Sequence, residues 1–387
     1  MEVRTEQRFS MNILKKAAYL ATLLLSVTLL ASCATSGTAQ WTPGKPLDKA
    51  SVRIGVIYLD EAESGWSYAH ELGIRKVQRE FGMQDDQIIR KFNVSEADIA
   101  MIEYMISEAI AEGANIIIAP SWGFMDACQR MADEHPNVVF AHASGYKSND
   151  TNFTNYFGRL YQARYLAGIA AGLRTETGKV GFVAAQGITN SEVTGGLNAF
   201  AIGVESVNPD AQIYVSVTHS WFDPAGERRA AQRLIDEGCD VIAQHCDTVE
   251  PQIAASQAGV WGIGNNVDMS SYAPGAVLTS VIWDWGNYYT LLIGSIIDGS
   301  FTTQPYFGGL SDGMVDLSPL NHNLATPGME ELIAGARERI INEGFGIFQG
   351  EMKTNDGRII GTAGETLPDS EKIGGINWYY HNIIVLH

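Results

Sequence analysis

Short apolar runs alternate with amphipathic segments along most of the chain. The runs are rich in β-branched residues and bounded by turn residues, and they span 52–59, 114–119, 137–141, 179–184, 212–217, 239–243 and 277–282. Between the first of them, residues 68–81 and 96–112 carry apolar side chains at helical spacing. Such alternation predicts βαβ units and mainly parallel sheets.

The pattern restarts at Lys179, which indicates a second lobe of the same design. The expected fold class is therefore α/β, with two doubly wound parallel-sheet lobes and a ligand cleft between them. We assign residues 50–158 and 282–310 to the N-terminal lobe, and 159–281 and 311–387 to the C-terminal lobe. The 355 residues that follow position 32 exceed what one core usually holds, which favours two domains. Residues 328–342 form the one clear helical pattern near the end.

The start of the chain has the features of an export signal. Lys15 and Lys16 precede an uncharged apolar run, 17–30, that is too short to span a bilayer but suits a signal-peptide core. Leu30-Ala31-Ser32-Cys33 resembles the bacterial lipobox, so we predict a signal peptide over 1–32 and lipidation of Cys33. A plain secretory peptide with an incidental cysteine is the alternative, and Met11 is an alternative start. Residues 33–49 then form a lipidated tether whose Ser, Thr, Gly and Pro make it flexible.

The charge narrows the class of partner. The net charge is −18, and removing residues 1–32, with four Lys/Arg and two Asp/Glu, makes it −20. An acidic body argues against nucleic acid, which requires clustered Lys and Arg. It also argues against a basic surface patch on anionic lipid, so membrane attachment is expected through the acyl chains alone.

Three cysteines follow Cys33, at 128, 239 and 246. None belongs to a CxxC pair, and three cannot all pair within one chain. Buried free thiols are the simplest interpretation, while a disulfide between Cys239 and Cys246 is the alternative that an exported protein allows.

Aromatic and polar residues recur where the predicted strands end. In doubly wound sheets, ligands bind beyond the carboxyl ends of the strands. The residues at those ends are Glu63 to Tyr68, Pro120 to Phe124, Ser220 to Asp223, Gln244 to Asp247, Asn265 to Asp268 and Trp283 to Trp285. Five of the eight tryptophans lie there, which is more than structural packing alone would place at one edge.

Rings flanked by amides and carboxylates suit a flat, neutral, heteroaromatic ligand, although sugars also stack on tryptophan. Phosphorylated ligands are not expected, because G-x-G-x-x-G and G-x-x-x-x-G-K-[ST] are both missing from the sequence. No G-x-S-x-G nucleophile elbow joins a predicted strand to a helix, and H-E-x-x-H and paired CxxC motifs are missing, so we predict no catalytic residues, no metal and no cofactor. His245, Cys246 and Asp247 alternate in direction along a strand end, which disfavours joint metal ligation.

Several segments together resemble one known family. They are Gly65 to His70, Pro120 to Asp126, Phe140 to Lys147, Asn208 to Asp210, Ser220 to Pro224, Gln244-His245, Asp268 to Ser270 and Gly308 to Leu310. Over about residues 50 to 350 the chain is similar to the basic membrane protein family of lipoprotein solute receptors. The resemblance implies the type I periplasmic-binding fold and a role in an ATP-driven importer. Its characterised members include purine nucleoside receptors, and the branch with the GW-S/T-YAH segment resembles members that bind purine bases such as adenine.

The resemblance also implies roles for individual residues. Trp66 matches the aromatic residue that stacks on one purine face, Trp221 matches the one on the other face, and Asp268 matches an aspartate that contacts ribose in nucleoside receptors. Those receptors carry a ribose-holding lysine where Trp283 stands here, which shifts the expectation from nucleoside to free base.

The prediction is thus a lipid-anchored, monomeric substrate-binding protein of an ABC importer that closes around a purine base such as adenine. Permease and ATPase subunits are its expected partners. The predicted ligand-binding residues are Trp66, Ser121, Trp122, Trp221, Gln244, Asn265, Asp268 and Trp283. A sensory receptor lipoprotein for the same ligand, a nucleoside-processing enzyme and a sugar-binding protein are the alternatives.

Overall fold

The computed structural model describes residues 41–61 and 65–386, except for the side chain of Ile373. Cys33 and the predicted signal peptide lie outside the described residues, as do Glu63 and Ser64. Within the described ranges, no helix is long and apolar enough to cross a membrane.

A six-stranded sheet forms the core of the first lobe. Its strands are β1 (Ile54–Ile57), β2 (Ile88–Lys91), β3 (Ile116–Ala119), β4 (Val139–Ala143), β5 (Phe153–Gly158) and β11 (Tyr306–Gly308). They lie in the order β11-β5-β4-β3-β1-β2, and every pair is parallel. All residues of β1, β3 and β4 are buried, as expected for parallel strands covered on both faces.

A seven-stranded sheet forms the core of the second lobe. Its strands are β6 (Lys179–Ala184), β7 (Gln212–Val217), β8 (Val241–His245), β9 (Trp261–Asn266), β10 (Val277–Trp283), β12 (Val315–Leu317) and β15 (Ile383–Val385). Their order is β12-β10-β9-β8-β6-β7-β15, with β12 alone antiparallel to its neighbour. The predicted α/β fold with two parallel sheets is confirmed.

Helices cover the two sheets. They are α1 (Gly65–Phe81), α2 (Ile99–Ala111), α3 (Met125–Glu134), α4 (Leu160–Arg174), α5 (Ser191–Glu205), α6 (Pro224–Asp236), α7 (Glu250–Ala258), α8 (Trp285–Asp298), α9 (Met329–Asn342) and α10 (Asp369–Gly374). Local sequence fixes several starts: the side chains of Asp98, Asn190 and Asp223 each accept a hydrogen bond from the first turn of the helix that follows.

The chain passes between the sheets three times: after β5, after β10 and between β11 and β12. These crossings fall near the lobe boundaries inferred from sequence, and we retain those boundaries as a proposal. One detail differs: β10 continues to Trp283, so residues 282–283 belong to the second sheet.

The last forty residues add a segment to the second lobe. A short hairpin, β13 (Met352–Lys353) and β14 (Ile359–Ile360), precedes α10, and β15 then joins the sheet edge beside β7. The sequence pattern beyond residue 342 did not predict these elements.

Candidate functional site

Strained backbone marks the carboxyl ends of the strands. In the described part of the chain, the non-glycine residues with positive φ are Asn93, Ser144, His219 and Asn266. Each is the last residue of β2, β4, β7 or β9 or follows that strand by one or two positions. Such backbone is retained where the surrounding structure requires it, and it concentrates at binding sites.

The two lobes touch at these strand ends. Gly65, which begins α1 in the first lobe, has a left-handed backbone with φ of 69°. A Cβ atom placed on it would lie only 2.6 Å from the carbonyl oxygen of Asp247, in the loop after β8 of the second lobe. Glycine thus permits both the helix start and the close approach between lobes.

Trp66 is held next to this contact. It is half-buried, and its Nε1 donates a hydrogen bond to the carbonyl oxygen of Pro120, 2.6 Å away. Its ring meets Trp285 at a centroid distance of 5.3 Å and Trp283 at 6.0 Å, both nearly perpendicular. The side chain is therefore fixed in orientation while part of its surface remains accessible.

Trp283 belongs to the base of the site. It is 5% exposed and stacks on Trp285 at 4.3 Å, and Trp285 in turn stacks on His70 at 4.2 Å. Burial lowers the pKa of His70 well below its ordinary value, so this histidine is neutral at physiological pH. This stack leaves Trp283 little surface for a ligand. The main effect of the Trp283 side chain is to fill space beneath Trp66.

Ser121 and Trp122 follow β3 in the first lobe. The hydroxyl of Ser121 hydrogen-bonds the carboxylate of Glu96, and its carbonyl oxygen accepts from Nε2 of His142 at 2.6 Å. Trp122 is 56% exposed and lies 5.9 Å from the ring of Tyr146. Ser121 is thus committed to internal contacts, whereas Trp122 presents an open aromatic surface.

Trp221 is the corresponding ring of the second lobe. It is half-buried, meets the edge of His245 at 5.7 Å, and accepts a backbone hydrogen bond from the N–H of Asp247 at 2.9 Å. Burial, with a smaller effect of Arg164, lowers the pKa of His245 to about 4, although Glu192 at 3.5 Å opposes the shift. The imidazole beside Trp221 is therefore neutral at physiological pH.

Gln244 and Asn265 are fully engaged inside the second lobe. The Gln244 amide nitrogen donates to the carbonyl oxygens of Cys246 and Thr248, and Asn265 accepts from the buried guanidinium of Arg164 at 2.6 Å. Both side chains are at most 1% exposed. We therefore treat them as residues that hold the loop after β8, and no longer as direct ligand contacts.

Asp268 lies at the surface. Its side chain is exposed and accepts a hydrogen bond from the N–H of Ser270 at 2.9 Å. Its carboxylate is therefore open to solvent.

Sequence reasoning missed Asp247 and Asn266 as site residues. Asn266 Nδ2 donates to Oδ1 of Asp247 at 2.7 Å, and burial raises the pKa of Asp247 to about 8, with nearby Glu227, Asp60 and Glu192 adding to the shift. The available signal was their position after β8 and β9. The direction of their side chains depends on the loops and on the left-handed Asn266, which the sequence pattern does not reveal.

The described cysteines, 128, 239 and 246, are buried free thiols. Burial raises the pKa of Cys128 and Cys246 above the ordinary value, which disfavours the reactive thiolate. Over residues 41–61 and 65–386, no group of three or more His, Cys, Asp or Glu side chains is placed to hold a metal ion.

Residues 52–345 match a protein family described as Bmp, ABC transporter substrate-binding protein PnrA-like. A putative ABC transporter glucose-binding protein of Haloferax volcanii is 34% identical over 319 residues, covering 82% of this chain and 79% of the relative. A purine-binding protein of Brucella abortus is 32% identical over 329 residues, covering 85% and 91%. The solute-binding protein of an ABC transporter system from Conexibacter woesei superposes with a TM-score of 0.64 at 19% identity, over 76% of this chain and 97% of that one, a likeness of fold.

Proposed function

The chain belongs to the Bmp family of ABC transporter substrate-binding proteins, and from this premise we propose that its ligand is a purine, with the free base preferred over the nucleoside. Members of this family bind a solute and present it to permease and ATPase subunits without chemical conversion.

The observation that carries the proposal is the pair of half-buried tryptophans, one on each side of the contact between lobes. Trp66 is oriented by its hydrogen bond to Pro120, and the backbone of Trp221 is held by the hydrogen bond that its carbonyl oxygen accepts from the N–H of Asp247. Because each ring keeps accessible surface, a planar ligand could stack on both and bridge the lobes. The relative named for purine binding supports this choice.

Trp283 favours the base over the nucleoside. It stands where the resemblance places a ribose-binding lysine, and its indole is packed between Phe157 at 5.2 Å and Trp285 at 4.3 Å. An indole at this position supplies neither the charge nor the flexible donor that a ribose would use.

Ligand binding would favour the closed arrangement, because a bridging base contacts both lobes only when they meet. The three chain crossings are the hinge about which the lobes would rotate. We propose that the protein works as a monomer in this cycle.

A sugar is the second candidate, because the relative from Haloferax volcanii is named a putative glucose-binding protein. Isothermal titration of the purified protein with adenine, hypoxanthine, guanine, their nucleosides and glucose separates the two. Binding of adenine with no heat from glucose supports the proposal, whereas binding of glucose alone refutes it.

Replacing Trp66 tests the stacking itself. Trp66→Ala should weaken adenine binding by about 1–3 kcal/mol, as for other base–aromatic stacks. Tyr104→Ala removes an aromatic ring that is 56% exposed on α2 and serves as the control. Equal affinities of Trp66→Ala and the control would remove Trp66 from the site.

We further propose that lipid on Cys33 anchors the protein to a membrane and faces it to the periplasm or the cell exterior. The support is the lipobox-like Leu30-Ala31-Ser32-Cys33 sequence. Expression in bacteria with labelled palmitate should label the wild type and leave Cys33→Ser unlabelled and released from membranes. Labelled Cys33→Ser protein would contradict the anchor.

A further inference from the structure

Asp247 lies where the two lobes touch, and it contacts the backbone of Trp221 and of the residue that precedes Trp66. Its N–H donates to the carbonyl oxygen of Trp221 at 2.9 Å. Gly65 of the other lobe packs closely against Asp247. A Cβ placed on Gly65 would lie 2.6 Å from the carbonyl oxygen of Asp247 and 3.1 Å from the Cβ of Asp247. Trp66 directly follows that glycine.

The two carboxyl oxygens of Asp247 differ in their contacts. Oδ1 accepts the hydrogen bond from Asn266, whose left-handed backbone at the end of β9 aims the amide at it. Oδ2 has no hydrogen-bond partner among the residues that the structure describes. Because the residue is only half-buried, this second oxygen is within reach of a molecule in the cleft.

Charged groups around Asp247 are predominantly acidic. Asp60 follows β1, Glu192 lies in the first turn of α5, and Glu227 lies in the first turn of α6. Arg164 also lies in this region, but its guanidinium is committed to the carbonyl oxygen of Gln244 and to Asn265.

Burial and these carboxylates raise the pKa of Asp247 to about 8, while the hydrogen bond from Asn266 opposes the shift. His245, at the end of the same strand, is neutral. The Asp247 carboxyl therefore keeps its proton at neutral pH. Since Oδ1 accepts from Asn266, the proton belongs on Oδ2, where it is a hydrogen-bond donor.

We infer that Asp247 selects among purines by the pattern of hydrogen-bond donors and acceptors along the edge of the purine ring, an inference that rests on the proposed function. A neutral carboxyl group offers one donor and one acceptor, so it pairs with a ring edge that offers an acceptor beside a donor. The ring nitrogen and amino group of a 6-aminopurine form such an edge. Guanine also offers an acceptor beside a donor, at O6 and N1–H, but its N1–H and 2-amino group are in addition two adjacent donors, which an ionised carboxylate binds with both oxygens.

The pH dependence of adenine binding tests this role. Calorimetric titrations at about pH 6.5, 7.5 and 9 should show wild-type affinity falling about tenfold at the highest pH, because binding requires the proton that Asp247 then loses. Asp247→Asn should bind adenine more tightly than Asp247→Leu does and should lose the pH dependence, since a carboxamide keeps one donor and one acceptor at every pH. Asp247→Leu should bind weakly at every pH.

Asp298→Asn, an exposed carboxyl at the end of α8, is the control and should follow the wild-type profile. A flat wild-type profile would overturn the inference, as would an Asp247→Asn variant that keeps the steep profile or binds as weakly as Asp247→Leu. In each of these cases adenine binds the wild type and the proposed function stands. Failure of every purine to bind would instead overturn the proposed function.

A measurement on the wild type alone covers the case in which the Asp247 variants do not fold. The ratio of guanine to adenine affinity should rise as pH increases from about 6.5 to about 8.5, because ionisation replaces the donor with a second acceptor. A constant ratio would overturn the inference.

Discussion

Gly65 has a left-handed backbone and also packs against the other lobe. A second glycine that has only the left-handed backbone allows the two effects to be tested separately. Gly82 at the end of α1 has a similar φ of 61°, but the space around it is open. A side chain at either position strains the backbone by about 1–2 kcal/mol. Only at Gly65 does it also collide with Asp247 in the other lobe.

Gly65→Ala should therefore reduce ligand affinity at least about tenfold, whereas Gly82→Ala should lower only the free energy of unfolding. Calorimetry and urea unfolding of both variants measure the two effects. Equal ligand affinity in the two variants would show that the Gly65–Asp247 contact is not needed for binding.

Two buried histidines predict a loss of stability in acid. Burial lowers the pKa of His142 and of His245 to about 4, below the ordinary 6.5. As pH falls, the unfolded chain takes up these protons first, so the stability that these two histidines contribute decreases between about pH 6.5 and about pH 4 and then levels off. Each histidine contributes about 3 kcal/mol to this loss.

His142→Gln can still donate to the carbonyl oxygen of Ser121, and it should make unfolding in urea less sensitive to pH between about 7 and about 4.5. His322→Gln is the control, because the His322 side chain is 73% exposed. Identical pH dependence in the two variants would exclude His142 as a source of acid sensitivity.

Among the structural elements, β6 and β7 were predicted with their observed bounds, 179–184 and 212–217. A parallel strand in a covered sheet is a continuous β-branched run with turns at both ends, so local sequence is sufficient to find it. By contrast, β15 has only three residues and pairs with β7, about 170 positions earlier. No local pattern reveals such a pairing.

The candidate site likewise contains residues that local sequence identifies and residues whose role only the structure reveals. Trp66 and Trp221 were predicted as candidates because position after a strand and residue type both point to a ligand, and the structure leaves both rings partly accessible. Gln244 shares that position, yet its amide is used within the lobe, and Asp247, three residues later, reaches the contact between lobes. Which of two neighbouring polar residues faces the cleft depends on loop geometry, and this requires the structure.

The C-terminal segment depends on one buried side chain of α5. Asn198 donates to the carbonyl oxygen of Trp378 at 2.8 Å and accepts from the N–H of Tyr380 at 2.9 Å, just before β15. Asn198→Ala leaves those two backbone groups without partners, and the expected loss is about 1–3 kcal/mol of unfolding free energy.

Limited proteolysis of Asn198→Ala should release the C-terminal residues faster than it does from the wild type. Asn342→Ala removes an exposed asparagine that bonds only Glu338 across one turn of α9, and it should behave like the wild type. Unchanged proteolysis of Asn198→Ala would show that the pairing of β15 with β7 holds the segment by itself.

For the whole molecule, we expect closure of the two lobes about the three crossings to be the measurable consequence of binding. A ligand shifts this equilibrium only by the difference between its contacts in the closed and open states. If a base lies between Trp66 and Trp221, each tryptophan supplies contacts from one lobe, and the second is made only on closure. Losing Trp221 should therefore impair closure more than it impairs occupancy of the first lobe.

Small-angle scattering at saturating adenine tests this expectation. The wild type should become more compact on binding, whereas Trp221→Ala should bind more weakly and stay close to its ligand-free radius of gyration. Phe222→Ala is a matched control, since this neighbouring ring is 57% exposed and Trp221 itself remains. Full compaction of Trp221→Ala at saturation would mean that other residues of the second lobe close the cleft. Asp247 donates a backbone hydrogen bond to Trp221 and packs against Gly65 of the other lobe, so it would then be the next residue to substitute.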